Sequence, residues 1–137
     1  MGALAPKLRE LMERLGLDPD TMRVARAEQL RLVLEHGVRV VSGTDAGIGG
    51  AKLHGDGVWR AVVELTDACT FEHALATATS YAAEALGLAS VTGRLRAGLA
   101  ADLLVVDGDV RADHDALGRP AAVYVRGAAV LPRRAVS

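Results

Sequence analysis

The chain has 137 residues, half of them hydrophobic and 24% charged, with a formal net charge of −1. That length suits one compact domain, and that balance favours folding over disorder. Acids and bases are interspersed, which excludes the basic footprint of a nucleic-acid binder or of a protein drawn to an anionic membrane.

In chain order, Leu4, Leu8, Leu11 and Leu15 repeat at helical spacing, which predicts a short helix over residues 3–16 closed by Gly16. Asp18-Pro19-Asp20 is a turn that restarts a helix from about Thr21 to His36, with Val24, Ala27, Leu30 and Leu34 on one side and Gly37 as its stop. Val38 to Val41 then reads as a short strand. Residues 42–57, rich in glycine and polar side chains, read as a long loop. A third helix follows from Val58 to about Cys69. Thr70 is a good N-cap for a fourth, which runs to about Leu86 and stops at Gly87. Beyond Leu88 the pattern changes to short β-prone runs: Leu103–Val106, Ala122–Val125, and a turn at Arg126-Gly127 into Ala128-Ala129-Val130. Helix–strand–helix order implies a parallel sheet. Only one strand precedes residue 88, however, so a single α/β unit is present without the sheet that would flank it. Aromatics are few, Trp59, Phe71, Tyr81 and Tyr124, so the core falls to Ala, Val and Leu.

Gly43-Thr44-Asp45-Ala46-Gly47 follows directly on the predicted strand, and in α/β folds chemistry sits at the C-terminal ends of strands. Asp45 is therefore well set to ligate a metal or act as a base. Taken alone, the pentapeptide reads better as a turn former between glycines. Gly47-Ile48-Gly49-Gly50 lacks the Gly-Lys-Ser/Thr of a phosphate loop, and Lys52 stands where a dinucleotide fingerprint needs its third glycine. A loop over a pocket is the better reading. Among the histidines, His36 sits in a last helical turn, His73 in a first turn, and His114 in an acidic turn between Asp113 and Asp115. His54, in the loop after Asp45, reads equally as a pocket residue and as a solvated one. Asp107 and Asp109 straddle Gly108 as turn carboxylates. Cys69, the single cysteine, allows no disulfide within the chain and no CxxC clip, and reads as an inert core thiol.

Three segments taken together resemble a known family. They are Val40-Val41-Ser42-Gly43-Thr44-Asp45-Ala46-Gly47 with His54-Gly55; Thr70 to Leu88 with Ala74-Leu75, Thr77, Thr79, Ala82-Ala83 and Leu86-Gly87; and Gly93 to Asp109 with Gly98-Leu99-Ala100-Ala101-Asp102-Leu103-Leu104-Val105-Val106-Asp107. In that order and at that spacing they resemble the last third of the amidohydrolase superfamily, in particular its imidazolonepropionase-like and Xaa-Pro dipeptidase-like members, over about residues 21–131. The resemblance implies an α/β chain forming the C-terminal segment of a (β/α)8 barrel plus part of the adjoining small β-sandwich. Residues 1–88 would form the barrel portion and 89–137 the sandwich strands. The strand Val38 to Ser42 would be the eighth barrel strand, parallel to its neighbours. Asp45 would then ligate a divalent metal, usually zinc, and take the proton from its water during hydrolysis of a C–N bond in an amide, cyclic amide or dipeptide-like substrate. His54 would contact that substrate.

The family's paired histidines, bridging lysine and two later histidines have no counterparts here, and a whole barrel takes about 250 residues. The resemblance therefore implies that the chain works with the missing part of the barrel, or associates with itself. A truncated relative serving as a structural or binding module is the competing reading. No signal-peptide pattern opens the sequence and no apolar run approaches the ~20 residues of a membrane span, so the sequence is expected to be cytoplasmic.

Overall fold

The computed structural model describes residues 6–46 and 57–130. Five helices come first: α1 (Pro6–Arg14), α2 (Pro19–Glu35), α3 (Gly57–Leu65), α4 (Phe71–Ala78) and α5 (Ser80–Ala85). Strand β1 (Leu103–Val106), a 3-10 turn η1 (His114–Gly118), β2 (Pro120–Val125) and β3 (Ala128–Val130) complete the order.

Helix α2 carries its boundaries in its sequence. The Asp18 carboxylate accepts the Thr21 N–H at 2.9 Å and the Thr21 hydroxyl at 2.6 Å. Those bonds from Thr21 hold the Asp18 carboxyl below the usual range. Pro19 occupies a first-turn position that needs no donor. At the other end Gly37 takes φ +72°, its N–H reaches Leu34 O at 2.9 Å, and Val38 N–H reaches Val33 O at 3.2 Å. This paired closure uses a left-handed glycine to satisfy carbonyls that the helix leaves open.

The core lies among α3, α4, α5 and η1. Val62, Ala74, Thr77, Ser80, Ala83 and Ala116 are buried there. Small side chains allow close approach. Gly118 lies against Trp59, where a Cβ would come within 2.8 Å of the indole. The Phe71 ring stacks on His114 with centroids 4.6 Å apart, joining the start of α4 to η1. Arg23 pairs with Asp67 at 2.8 Å and Arg31 bonds the Asp67 carbonyl, tying α2 to the turn after α3. Along α2 only Ala27 is buried, and Val24, Leu32 and Val33 stay exposed.

Two expectations need correction. The helix predicted from Thr70 to Leu86 is two helices. Thr79 leaves helical geometry at φ −126°, ψ −93°. Its hydroxyl bonds Leu75 O at 2.8 Å, and the Thr77 hydroxyl bonds Ala74 O at 2.7 Å. Threonine hydroxyls that seize carbonyls one turn back compete with the helical ladder and bend it. Gly93 fits against this break at φ +90°, where a Cβ would fall 2.5 Å from Ala83 Cβ and 3.0 Å from Thr79 O.

The second correction concerns Val38 to Ser42, which joins no ladder. The single sheet among the described residues is antiparallel, in the order β1-β2-β3. Val123 of β2 pairs with Leu104 on one side and Val130 on the other. The β2–β3 hairpin turns on Arg126 (φ 51°) and Gly127 (φ 81°), both left-handed as a tight two-residue turn of this hand requires. Asp102, just before β1, accepts the Arg126 N–H and the Thr92 hydroxyl, each at 2.8 Å. These bonds, the one from Arg126 first, keep its carboxyl below the usual range.

Candidate active site

The segment from Val38 to Ala46 leaves the closed end of α2 and has no strand beside it among the described residues. Its burial nevertheless alternates: Val40, Ser42, Thr44 and Ala46 are half-buried, and Val41, Gly43 and Asp45 are exposed. Period two is the signature of a β-strand with one face covered. Helices cover the even-numbered set, and Asp45 belongs to the set that they leave open.

Two contacts fix the covered face. Ser42 N–H donates to Thr77 O at 3.0 Å, and the Ser42 and Thr77 hydroxyl oxygens lie 2.5 Å apart. Thr44 abuts the first residue of α3, since a Cβ at Gly57 would lie 2.6 Å from Thr44 Cγ2. Thr44 Oγ1 also accepts the Ala46 N–H at 3.2 Å, bending the chain around Asp45. Asp45 itself has φ 51°. Aspartate tolerates that left-handed conformation better than most side chains, because its short polar group bonds locally.

His54, Gly47 to Gly50 and Lys52 lie outside the described residues. Among the described residues no group of three or more His, Cys, Asp or Glu could hold a metal ion. Asp45 offers hard carboxylate oxygens, so it fits as one ligand of a divalent metal. The described residues do not complete such a site, since tight zinc centres take about four ligands.

The other titratable candidates have structural roles. His36 Nδ1 lies 2.8 Å from Leu32 O within its own helix. His73 is half-buried and meets Tyr81 edge-on at 5.4 Å. His114 is likewise half-buried, within η1 and against Phe71. Asp109 accepts the Arg111 N–H at 2.9 Å beside Gly108, as a turn carboxylate should. The Cys69 thiol donates to Leu65 O at 3.3 Å, and partial burial pushes its pKa up, away from the reactive thiolate. In the sequence, Ser42 and Thr77 stand out only as members of the family-like segments. The available signal was a hydroxyl inside the alanine-rich stretch Ala74-Leu75-Ala76-Thr77, where a buried polar group requires a partner.

The sequence profile of the amidohydrolase family matches residues 8–130. The chain belongs to this family, whose members generally bind divalent metals and whose fold is TIM-barrel-like. Among solved structures it is similar to a candidate prolidase from Bifidobacterium longum, at TM-score 0.70 and 28% identity, over 88% of this chain and 31% of that one. It is similar to a Xaa-Pro dipeptidase with methionine bound in its active site, at TM-score 0.65 and 26% identity, over 76% of this chain and 25% of that one. A prolidase complexed with N-methylphosphonate-L-proline matches at TM-score 0.62 and 25% identity, over 76% and 26% of the two chains. The chain thus spans about a quarter to a third of the length of these relatives. No curated protein matches it. No described helix is long and apolar enough to cross a membrane.

Proposed function

We propose that this chain supplies the last strand-bearing unit of the barrel, and part of the adjoining β-sandwich, of a metal-dependent amidohydrolase that cleaves a C–N bond in a dipeptide-like or other small amide. In this reading residues 1–88 belong to the barrel and 89–137 to the sandwich. The rest of the barrel comes from further polypeptide or from self-association. The supporting observation is the position of Asp45. It follows a segment with strand-like alternation, on the face that is exposed among the described residues, in a sequence whose family match spans residues 8–130.

A bound divalent metal, with zinc the first choice, would polarise the scissile carbonyl and acidify water. Asp45 is the one metal ligand that this chain contributes. Its carboxylate also accepts a proton as water attacks the carbonyl carbon, then returns that proton to the leaving nitrogen. His54 faces the substrate in the same reading. Xaa-Pro dipeptides are the first substrates to try, given the Xaa-Pro dipeptidase and the prolidase holding a proline phosphonate among the relatives.

The test is Xaa-Pro hydrolysis by the chain produced together with the polypeptide that completes its barrel, followed as release of free proline with zinc or manganese supplied. Asp45→Asn should lower the rate by about 10²–10⁴. A variant within a few-fold of the parent would overturn the assignment. A complete assembly without hydrolysis under either metal would favour the structural or binding module.

A further inference from the structure

We infer that Thr77 is a positioning residue for Asp45, holding the loop-end carboxylate in place through Ser42; the inference rests on the reading of Asp45 just given. Thr77 sits on α4 and is 1% exposed, one of two buried polar residues among those described. A buried hydroxyl that only filled space would be replaced there by valine without loss. This one is bonded twice.

The donors can be assigned by counting protons. A threonine hydroxyl has one proton and two acceptor lone pairs. Thr77 donates its proton to Ala74 O at 2.7 Å. The 2.5 Å contact with Ser42 must then use the Ser42 proton, with Thr77 Oγ1 accepting. The Ser42 N–H bond to Thr77 O at 3.0 Å closes a two-point clamp between the segment and α4. Among the described residues it is the one cross-element backbone bond made by a donor in residues 39–46.

Asp45 lies three residues further along, with Thr44 wedged against Gly57 between them. Residue 42 therefore anchors the segment on α4, and residue 44 on the start of α3. Asp45, with its φ of 51°, is carried beyond both anchors. Catalytic groups depend on placement, and a shift of about 1 Å can cost around 10² in rate. Thr77 is itself buried, so it acts on Asp45 through the chain it holds.

Thr77→Val keeps the shape and removes the hydroxyl, leaving the backbone bond in place. Thr77→Ser keeps the hydroxyl and serves as the rescue. The first readout needs no metal: amide hydrogen exchange at Thr44, Asp45 and Ala46 in the 137-residue chain. Thr77→Val should speed it by about 3–10-fold, as expected for losing one hydrogen bond. Thr77→Ser should stay within about twofold of the parent by the same reasoning. Ser42→Ala should reproduce the valine effect and add little to it, the mark of two groups in one interaction. The second readout is kcat in the completed assembly, where Thr77→Val should lose about tenfold or more with KM little changed.

Equal exchange in the valine and serine variants would overturn the inference. So would a Thr77→Val variant that melts earlier but keeps parental exchange at residues 44–46 and parental kcat. If Asp45→Asn abolishes hydrolysis while Thr77→Val does not affect it, only the positioning role fails. If Asp45→Asn is harmless, the reading beneath it fails first.

Discussion

Residues 38–41, Val-Arg-Val-Val, and residues 122–130 are both β-prone, and both predict strands. Only the second pair of runs, β2 and β3, forms a ladder. The difference lies in where the partner is. For β2 it is two residues away, across Arg126 and Gly127, so closing the hairpin sacrifices little chain entropy. A strand after a helix in an α/β unit pairs in parallel, and its partners must come from elsewhere in the polypeptide. The first segment therefore shows the covered face of a strand without the hydrogen bonds of one. The same β-prone sequence can be complete or incomplete depending on connectivity alone.

The largest effect should appear in backbone hydrogen exchange. Amides of Arg39 to Val41 and of Gly43 should exchange at least about 100-fold faster than those of β2 in the isolated chain, because local stability ranges from near zero up to the global value. Equal protection in the two regions would break the comparison. It would mean that residues 38–46 had found a strand partner, with a second copy of the chain the available one. Sedimentation on the same sample would show it.

A mid-sized effect is expected where the chain passes from the helices to the strands. Gly93→Ala places a methyl group 2.5 Å from Ala83 Cβ in a left-handed conformation. Overpacking and the unfavourable φ together should cost roughly 2–4 kcal/mol. Urea unfolding with tryptophan emission from Trp59 measures it. If the hairpin is the self-sufficient region, circular dichroism should retain its β signal after the helical signal is lost.

The smallest effect belongs to Asp102, whose carboxylate is open to water and screened by it. Its folded pKa is depressed, chiefly by the Arg126 N–H and then by the Thr92 hydroxyl. It therefore stabilises the fold fully above its unfolded value of about 3.9. That stabilisation is lost as the pH falls through the lower folded value. Asp102→Asn should be less stable at pH 7 and should lose less between pH 7 and pH 3. Some acid sensitivity should remain, because Asp18 and Asp113 are depressed in the same way. An unchanged acid profile would show that the hairpin does not depend on this carboxylate.

Local chemistry was legible in the sequence. Asp18-Pro19, Gly37 and Thr70 marked helix ends, and Arg126-Gly127 marked the hairpin, because caps and tight turns are decided by residues within a few positions of one another. The run Gly43 to Gly47 taken alone reads as a turn, and Asp45 was singled out by the family resemblance of the segments around it. The helix break at Thr79 was missed, since propensity alone does not say whether a threonine hydroxyl turns back onto its own helix or outward. The structural use of His73 and His114 was missed because their ring partners, Tyr81 and Phe71, meet them only once the helices pack. Tertiary structure alone decided which face of residues 40–46 is covered and which carries Asp45. It also decided that Ser42, 35 positions from Thr77 in the chain, is bonded to it. Those contacts join distant segments, and no local pattern encodes the meeting of two hydroxyls between a helix and the extended segment beside it.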